Sequence, residues 1–190
     1  PHVLLYAHHD VQPPGDRELW NSEPFEATRV GERLFGRGAS DDKAGIITHA
    51  YALRALATLA EDVRLGVTVF IEGEEEAGSE SFLNFLKENQ RDLEADLIIV
   101  ADSGNWSTEV PSLTASLRGM VSQVLTVRTL DHALHSGMYG GPLPDAMTAM
   151  IKLLATLTDD AGDVAISGLA SDVTNGPEVS LEQLREESGL

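Results

Sequence analysis

Three short apolar runs in this chain each lead straight into residues able to do chemistry. VLLYA (Val3–Ala7) is followed by His8-His9-Asp10, VTVFI (Val67–Ile71) by Glu72-Gly73-Glu74-Glu75-Glu76, and LIIVA (Leu97–Ala101) by Asp102. Asp41 stands behind the GRGAS segment, just before a helical pattern. If His8, Asp10, Asp41, Glu75, Glu76 and Asp102 converge, five carboxylates surround one imidazole. Like charges at that density repel and are driven to protonate unless cations neutralise them. A divalent pair does this. The chain has no cysteine, so a thiolate zinc site, a cysteine nucleophile and a disulfide framework are all excluded, and a metal must be held by His and carboxylates.

Each element alone has an ordinary structural explanation. An H-x-D triplet suits a loop, three glutamates suit a solvated turn, and Asp41-Asp42 suits a helix start, where the dipole favours acids. Asp102 alone suits a cap or turn. Recurrence at three successive strand ends favours the site. His9 and His49 are assigned structural roles, one pointing away from its neighbour's site and one on a helix.

The elements needed for convergence are legible. The three runs are aliphatic and lack polar alternation, as strands buried on both faces of a parallel sheet read. Between them, Ile46, Ile47, Ala50, Leu53, Ala57 and Ala60 recur at helical spacing from Lys43 to Ala60. A second helix is expected from Ser79 to Asn89, around Phe82, Phe85 and Leu86. Strand, helix, strand, helix, strand predicts an α/β fold with a mostly parallel sheet covered by helices. Ligands then bind outside the carboxyl ends of the strands.

The pattern changes near Pro111. Polar and apolar residues alternate from Ser116 to Leu130, predicting a strand buried on one side. A Gly/Pro-rich turn (137–144) precedes a helix from Asp145 to Leu157, whose buried stripe should be Met147, Met150, Ile151, Leu154 and Leu157. An acidic turn at Asp159-Asp160 and a polar helix from about Ser180 complete the chain. The expected domains are residues 1–113 and 114–190.

Composition narrows the function. The 190 residues hold 13 Lys+Arg against 31 Asp+Glu, a formal charge of −18. No basic patch exists to bind a nucleic acid backbone. The longest apolar stretch, after Asp42, is broken by His49 and Arg54, so no membrane span is expected. Pro1 to Ala7 lack the charged and apolar regions of a signal peptide and read as the interior of a strand. On that basis a truncated chain and a cytoplasmic location are expected.

The motifs carry a resemblance. YAHHDVQP (6–13), GRGASDDKAG (36–45), EGEEEAGS (72–79), ADSGNW (101–106) and HSGMYGG (135–141) resemble, in order, the motifs of the M20 metallopeptidases, and within them the dipeptidase and carnosinase-like branch. GLASDV (168–173) is similar to the same branch. The resemblance implies a zinc-peptidase-like catalytic domain with part of an inserted α+β lid domain. By position, His8, Asp41, Glu76 and Asp102 are its metal ligands, with Asp41 bridging. Asp10 orients His8, and Glu75 is the general base. His135 is the lid histidine that holds substrate or polarises its carbonyl across a homodimer.

The resemblance therefore implies a two-metal hydrolase of dipeptides or short peptides. Zn²⁺ is the implied ion, with Mn²⁺ or Co²⁺ also suited to a His/carboxylate set. The chain departs from the family in ending inside the lid, so the segment supplying the last histidine ligand is absent, and the piece alone is expected to be inactive. The alternatives are an M20 amidohydrolase acting on N-acyl amino acids, and a non-catalytic metal-binding or dimerisation module. Retention of both Glu75 and Glu76 argues against the last, because a structural site needs no spare base.

Overall fold

A computed structural model of the chain describes residues 1–59, 63–117, 119–169 and 179–189. Two compact units are present, Pro1–Arg118 and Gly119–Leu190.

The first unit is built on β1 (His2–His8). A small antiparallel hairpin comes next, β2 (Thr28–Val30) against β3 (Arg33–Phe35), for which the sequence gives no expectation. Then come α1 (Lys43–Leu59), β4 (Gly66–Glu72), α2 (Phe82–Glu88) and β5 (Leu97–Val100). The three predicted strands form one parallel sheet in the order β4-β1-β5. The crossovers run through α1 and α2, as parallel strands require.

The buried apolar core sits on the central strand, at Leu4, Leu5 and Ala7. Burial of all three strands on both faces is not observed. Every residue of β5 is exposed, Ile98 by 59% and Val100 by 55%. The reason is position: β1 lies between two strands and under α1, while β5 is an edge strand. On the α2 side, Phe82 and Phe85 stack on Phe70 with ring centroids 5.9 and 5.1 Å apart. Leu4, Tyr6, Ile98 and Val100 then floor an open apolar trough of about 400 Å³.

Helix α1 begins where expected, and Ala60 lies outside the described residues. Its inward face differs from the expected stripe: Ile47 is 55% exposed, while Gly45 and His49 are buried. Two contacts set this rotation. His49 Nε2 donates to the Tyr6 carbonyl at 2.9 Å. Gly45 lies so close to the end of β5 that a Cβ there would collide with the Ala101 carbonyl. Helix α2 is shorter than predicted, because Ser79 takes φ +54° and the chain turns before Phe82.

The second unit contains α3 (Ser136–Tyr139), α4 (Ala146–Leu154) and α5 (Leu181–Ser188). Asp145 caps α4, accepting from Thr148 N at 2.7 Å, and Ser180 caps α5. Two expectations fail here. The segment 119–130 forms no strand, and Val121 and Val124 are 76% and 93% exposed. The stripe of α4 is not buried either, with Met147 67% and Ile151 59% exposed. Both patterns need an apolar surface to pack against, and no strand is present among the described residues of this unit to offer one. Residues 170–173 of the GLASDV segment lie outside the described residues. No helix among the described residues is long and apolar enough to cross a membrane.

Candidate metal centre

Parallel register brings the strand ends together. His8 pairs with Glu72 and Tyr6 with Val100, so Asp102, two residues past Val100, falls level with His8. The ladder continues one residue further, with Ala101 N donating to the Tyr6 carbonyl at 3.0 Å.

His8 is the centre of the cluster and only 1% exposed. Its Nδ1 faces Asp10, at 3.1 Å from the backbone oxygen and 3.3 Å from Oδ1. Its Nε2 faces three carboxylates: Asp41 Oδ1 at 3.0 Å, Asp102 Oδ1 at 3.9 Å and Glu75 Oε2 at 4.0 Å. Both ring nitrogens meet only acceptors, a setting that favours the protonated imidazole. Burial opposes that charge. It is outweighed by Asp102, by the Asp10 carbonyl, and by Asp42 and Glu75, so the imidazole titrates above its ordinary range. Burial and the neighbouring acids raise the carboxyls of Glu75 and Asp102 above theirs, against the opposing pull of His8. The cluster is short of positive charge.

His8, Asp41 and Asp102 offer three ligand atoms within 4.8 Å of one another. One imidazole nitrogen with carboxylate oxygens is a set that suits a borderline or hard divalent cation. The donor set therefore fits a metal. Glu75 borders this group. Glu76 is turned differently: its Oε2 accepts from Gln12 Nε2 at 2.8 Å, and its N donates to Asp10 Oδ2 at 3.0 Å. His135 lies in the second unit, where its Nδ1 accepts from Gly137 N at 3.1 Å at the start of α3.

Residues that the motif pattern does not single out hold this frame. Asp42 is 2% exposed; its Oδ2 accepts from His8 N at 3.1 Å and its Oδ1 from Gly45 N at 3.2 Å. One carboxylate thus caps α1 and ties it to the end of β1. Lys43 Nζ donates to the His9 carbonyl at 2.8 Å. The adjacent acids before the helix are the available signal, but spacing cannot distinguish the capping member from the one facing His8.

The model for peptidase family M20/M25/M40 matches residues 4–187. The chain belongs to this family. A cysteinylglycine-S-conjugate dipeptidase of Corynebacterium striatum is 38% identical over 170 residues, which cover 89% of this chain and 37% of that protein. The human beta-Ala-His dipeptidase is 33% identical over 174 residues, covering 90% and 34%. Among solved structures, an M20 family metallo-carboxypeptidase from Sulfolobus solfataricus superposes with a TM-score of 0.70 at 27% identity, covering 99% of this chain and 45% of that one. Human carnosine dipeptidase 1 gives 0.57 at 26% identity, covering 100% and 43%. This M20 chain therefore spans less than half the length of each.

The charge shortage makes stability depend on pH. Raised pKa values mean that the folded state holds protons more tightly than the unfolded one. The contribution is complete below the unfolded pKa and is lost as pH rises through the folded pKa. In EDTA, the urea midpoint should fall as pH rises from about 5 to about 8, with a shallower fall in Asp102→Asn. Adding Mn²⁺ at the upper pH should restore it. A midpoint that does not fall, or that Mn²⁺ leaves unchanged, contradicts the reading.

Proposed function

We propose that this M20 chain carries the metal-binding half of a dipeptidase active site. The observation that supports this most directly is the ring of Asp41, Asp102 and Glu75 around the inward-facing His8 Nε2. The dipeptidases among its relatives support the substrate class.

In this reading His8, Asp41, Asp102 and Glu76 hold two divalent ions, with zinc favoured by the donor set and Mn²⁺ or Co²⁺ accepted. Glu76 would exchange its Gln12 contact for that role. When bound, the ions polarise the scissile carbonyl and acidify the attacking water. Asp10 fixes the tautomer of His8 by holding the proton on Nδ1, which leaves Nε2 free to ligate. Glu75, whose carboxyl titrates above its usual range, accepts a proton from the attacking water and returns it to the leaving amine. His135 contributes from the lid, taken as residues 114–190, to hold the substrate carbonyl in a homodimer. The exposed stripe of α4, with Met147 and Ile151, is the proposed dimer surface.

The test is metal content together with hydrolysis of Cys-Gly, β-Ala-His and N-acetyl amino acids by the whole protein. Bound divalent metal with dipeptide cleavage is expected. Cleavage of N-acyl substrates alone would replace the dipeptidase reading with the amidohydrolase one. Absence of both metal and turnover would leave a non-catalytic module.

A further inference from the structure

Glu72 ends β4 directly opposite His8 and is 6% exposed, yet the proposed reaction gives it no task. Its carboxylate is held by two hydroxyls. Tyr6 OH donates to Oε2 at 2.6 Å, and Ser79 Oγ donates to Oε1 at 2.5 Å. These are the lengths of hydroxyl–carboxylate bonds.

Ser79 is where the loop carrying the glutamates closes. Between Glu72 and Ser79 the chain makes a 3-10 turn, Glu75–Ala77, and passes through Gly78 at φ +91°. Ser79 comes next at φ +54°, which among the described residues no other non-glycine adopts. That conformation is unfavourable for a residue with a Cβ and persists only where the surroundings over-determine it. Here Ser79 N donates to the Glu74 carbonyl at 2.8 Å, and its hydroxyl reaches back to the strand at Glu72. Both ends of the loop are thereby fastened to one buried side chain, three residues ahead of Glu75.

We propose that Glu72, gripping the Ser79 and Tyr6 hydroxyls, is a positioning residue that fixes Glu75 and Glu76 against the end of β1. This deepens the hydrolase reading above and rests on it.

The test compares wild type with Glu72→Gln, Ser79→Gly and the double variant. Ser79→Gly removes the hydroxyl while relieving the positive φ, so it separates the grip from backbone strain. Each metal-loaded single variant should lose about ten- to a hundredfold in kcat, with KM within about twofold and Mn²⁺ affinity by calorimetry reduced. The double variant should be no worse than Glu72→Gln, because both remove one contact. Amides of Ala77, Gly78 and Ser79 should exchange faster in both single variants, while those of β1 keep their protection. Wild-type kcat in the loaded variants, with only the melting temperature lowered, would overturn the proposal, as would unchanged loop exchange. A wild-type protein that binds no Mn²⁺ and cleaves nothing would sink the hydrolase reading instead. Loop exchange then decides the grip on its own.

Discussion

Glu75→Ala should lower kcat for dipeptide hydrolysis by about 10²–10⁴-fold while leaving metal uptake and KM near wild type. Three observations lead to this expectation. Glu75 Oε2 stands 4.0 Å from His8 Nε2, farther than Asp41 at 3.0 Å, so it borders the ligand group without completing it. His8, Asp41 and Asp102 already bring three potential ligand atoms together without it. Its carboxyl titrates high, through burial and the acids around it, which brings a base closer to the pKa that proton transfer at neutral pH favours. Glu76 cannot substitute, because the proposed reading commits its carboxylate to metal. Metal analysis and steady-state kinetics on the same preparation decide the matter. A variant that keeps most of its turnover would remove Glu75 from the base role. A variant that loses metal along with activity would make it a ligand.

Asp42→Ala should destabilise the fold by about 2–5 kcal/mol and weaken metal binding at a residue that is not itself a proposed ligand. The carboxylate is 2% exposed and accepts from His8 N and Gly45 N. Removing it leaves the buried His8 amide unpaired, costing about 1–3 kcal/mol, and strips α1 of its cap, costing about 0.5–2 kcal/mol more, while Gly45 N keeps its bond to the Asp42 carbonyl at 3.1 Å. One effect runs the other way. Asp42 adds to the repulsion that raises the Asp102 carboxyl, and its loss relieves part of that. The unpaired His8 amide and the lost cap should dominate, because they are buried while the Asp102 side chain is 34% exposed and screened. Urea unfolding at neutral pH reads the loss. Asn at this position, with one accepting oxygen, should fall between. A change within about 0.5 kcal/mol, the range of an ordinary surface substitution, would show that the cap and tether are dispensable.

The first unit was readable because its signals are local. The runs around Leu4, Phe70 and Ile98 are aliphatic over the length of a strand, and each ends on the residues that matter. A parallel sheet converts that order into place: with all carboxyl ends on one edge, His8, Glu72 and Asp102 fall level. The second unit was read less well for the converse reason. The alternation through Val121 and Val124, and the stripe through Met147 and Ile151, are one-sided patterns that describe a surface awaiting a partner. Periodicity says which face is apolar; it does not supply the partner.

The order of the three parallel strands and their helices, the strand ends that bear chemistry and the family motifs are all written in contiguous residues, and so could be read before any fold was known. Motif position proposes how the acids divide the work, but their surroundings could not be read from spacing. Of the neighbouring Asp41 and Asp42, one faces His8 Nε2 and the other is buried as cap and tether. Within Glu72, Glu74, Glu75 and Glu76, one grips two hydroxyls, one holds Ser81, one borders the imidazole and one pairs with Gln12. Adjacent carboxylates are chemically identical along a chain. Their roles separate only when folding gives each a different backbone direction, a different burial and so a different set of donors.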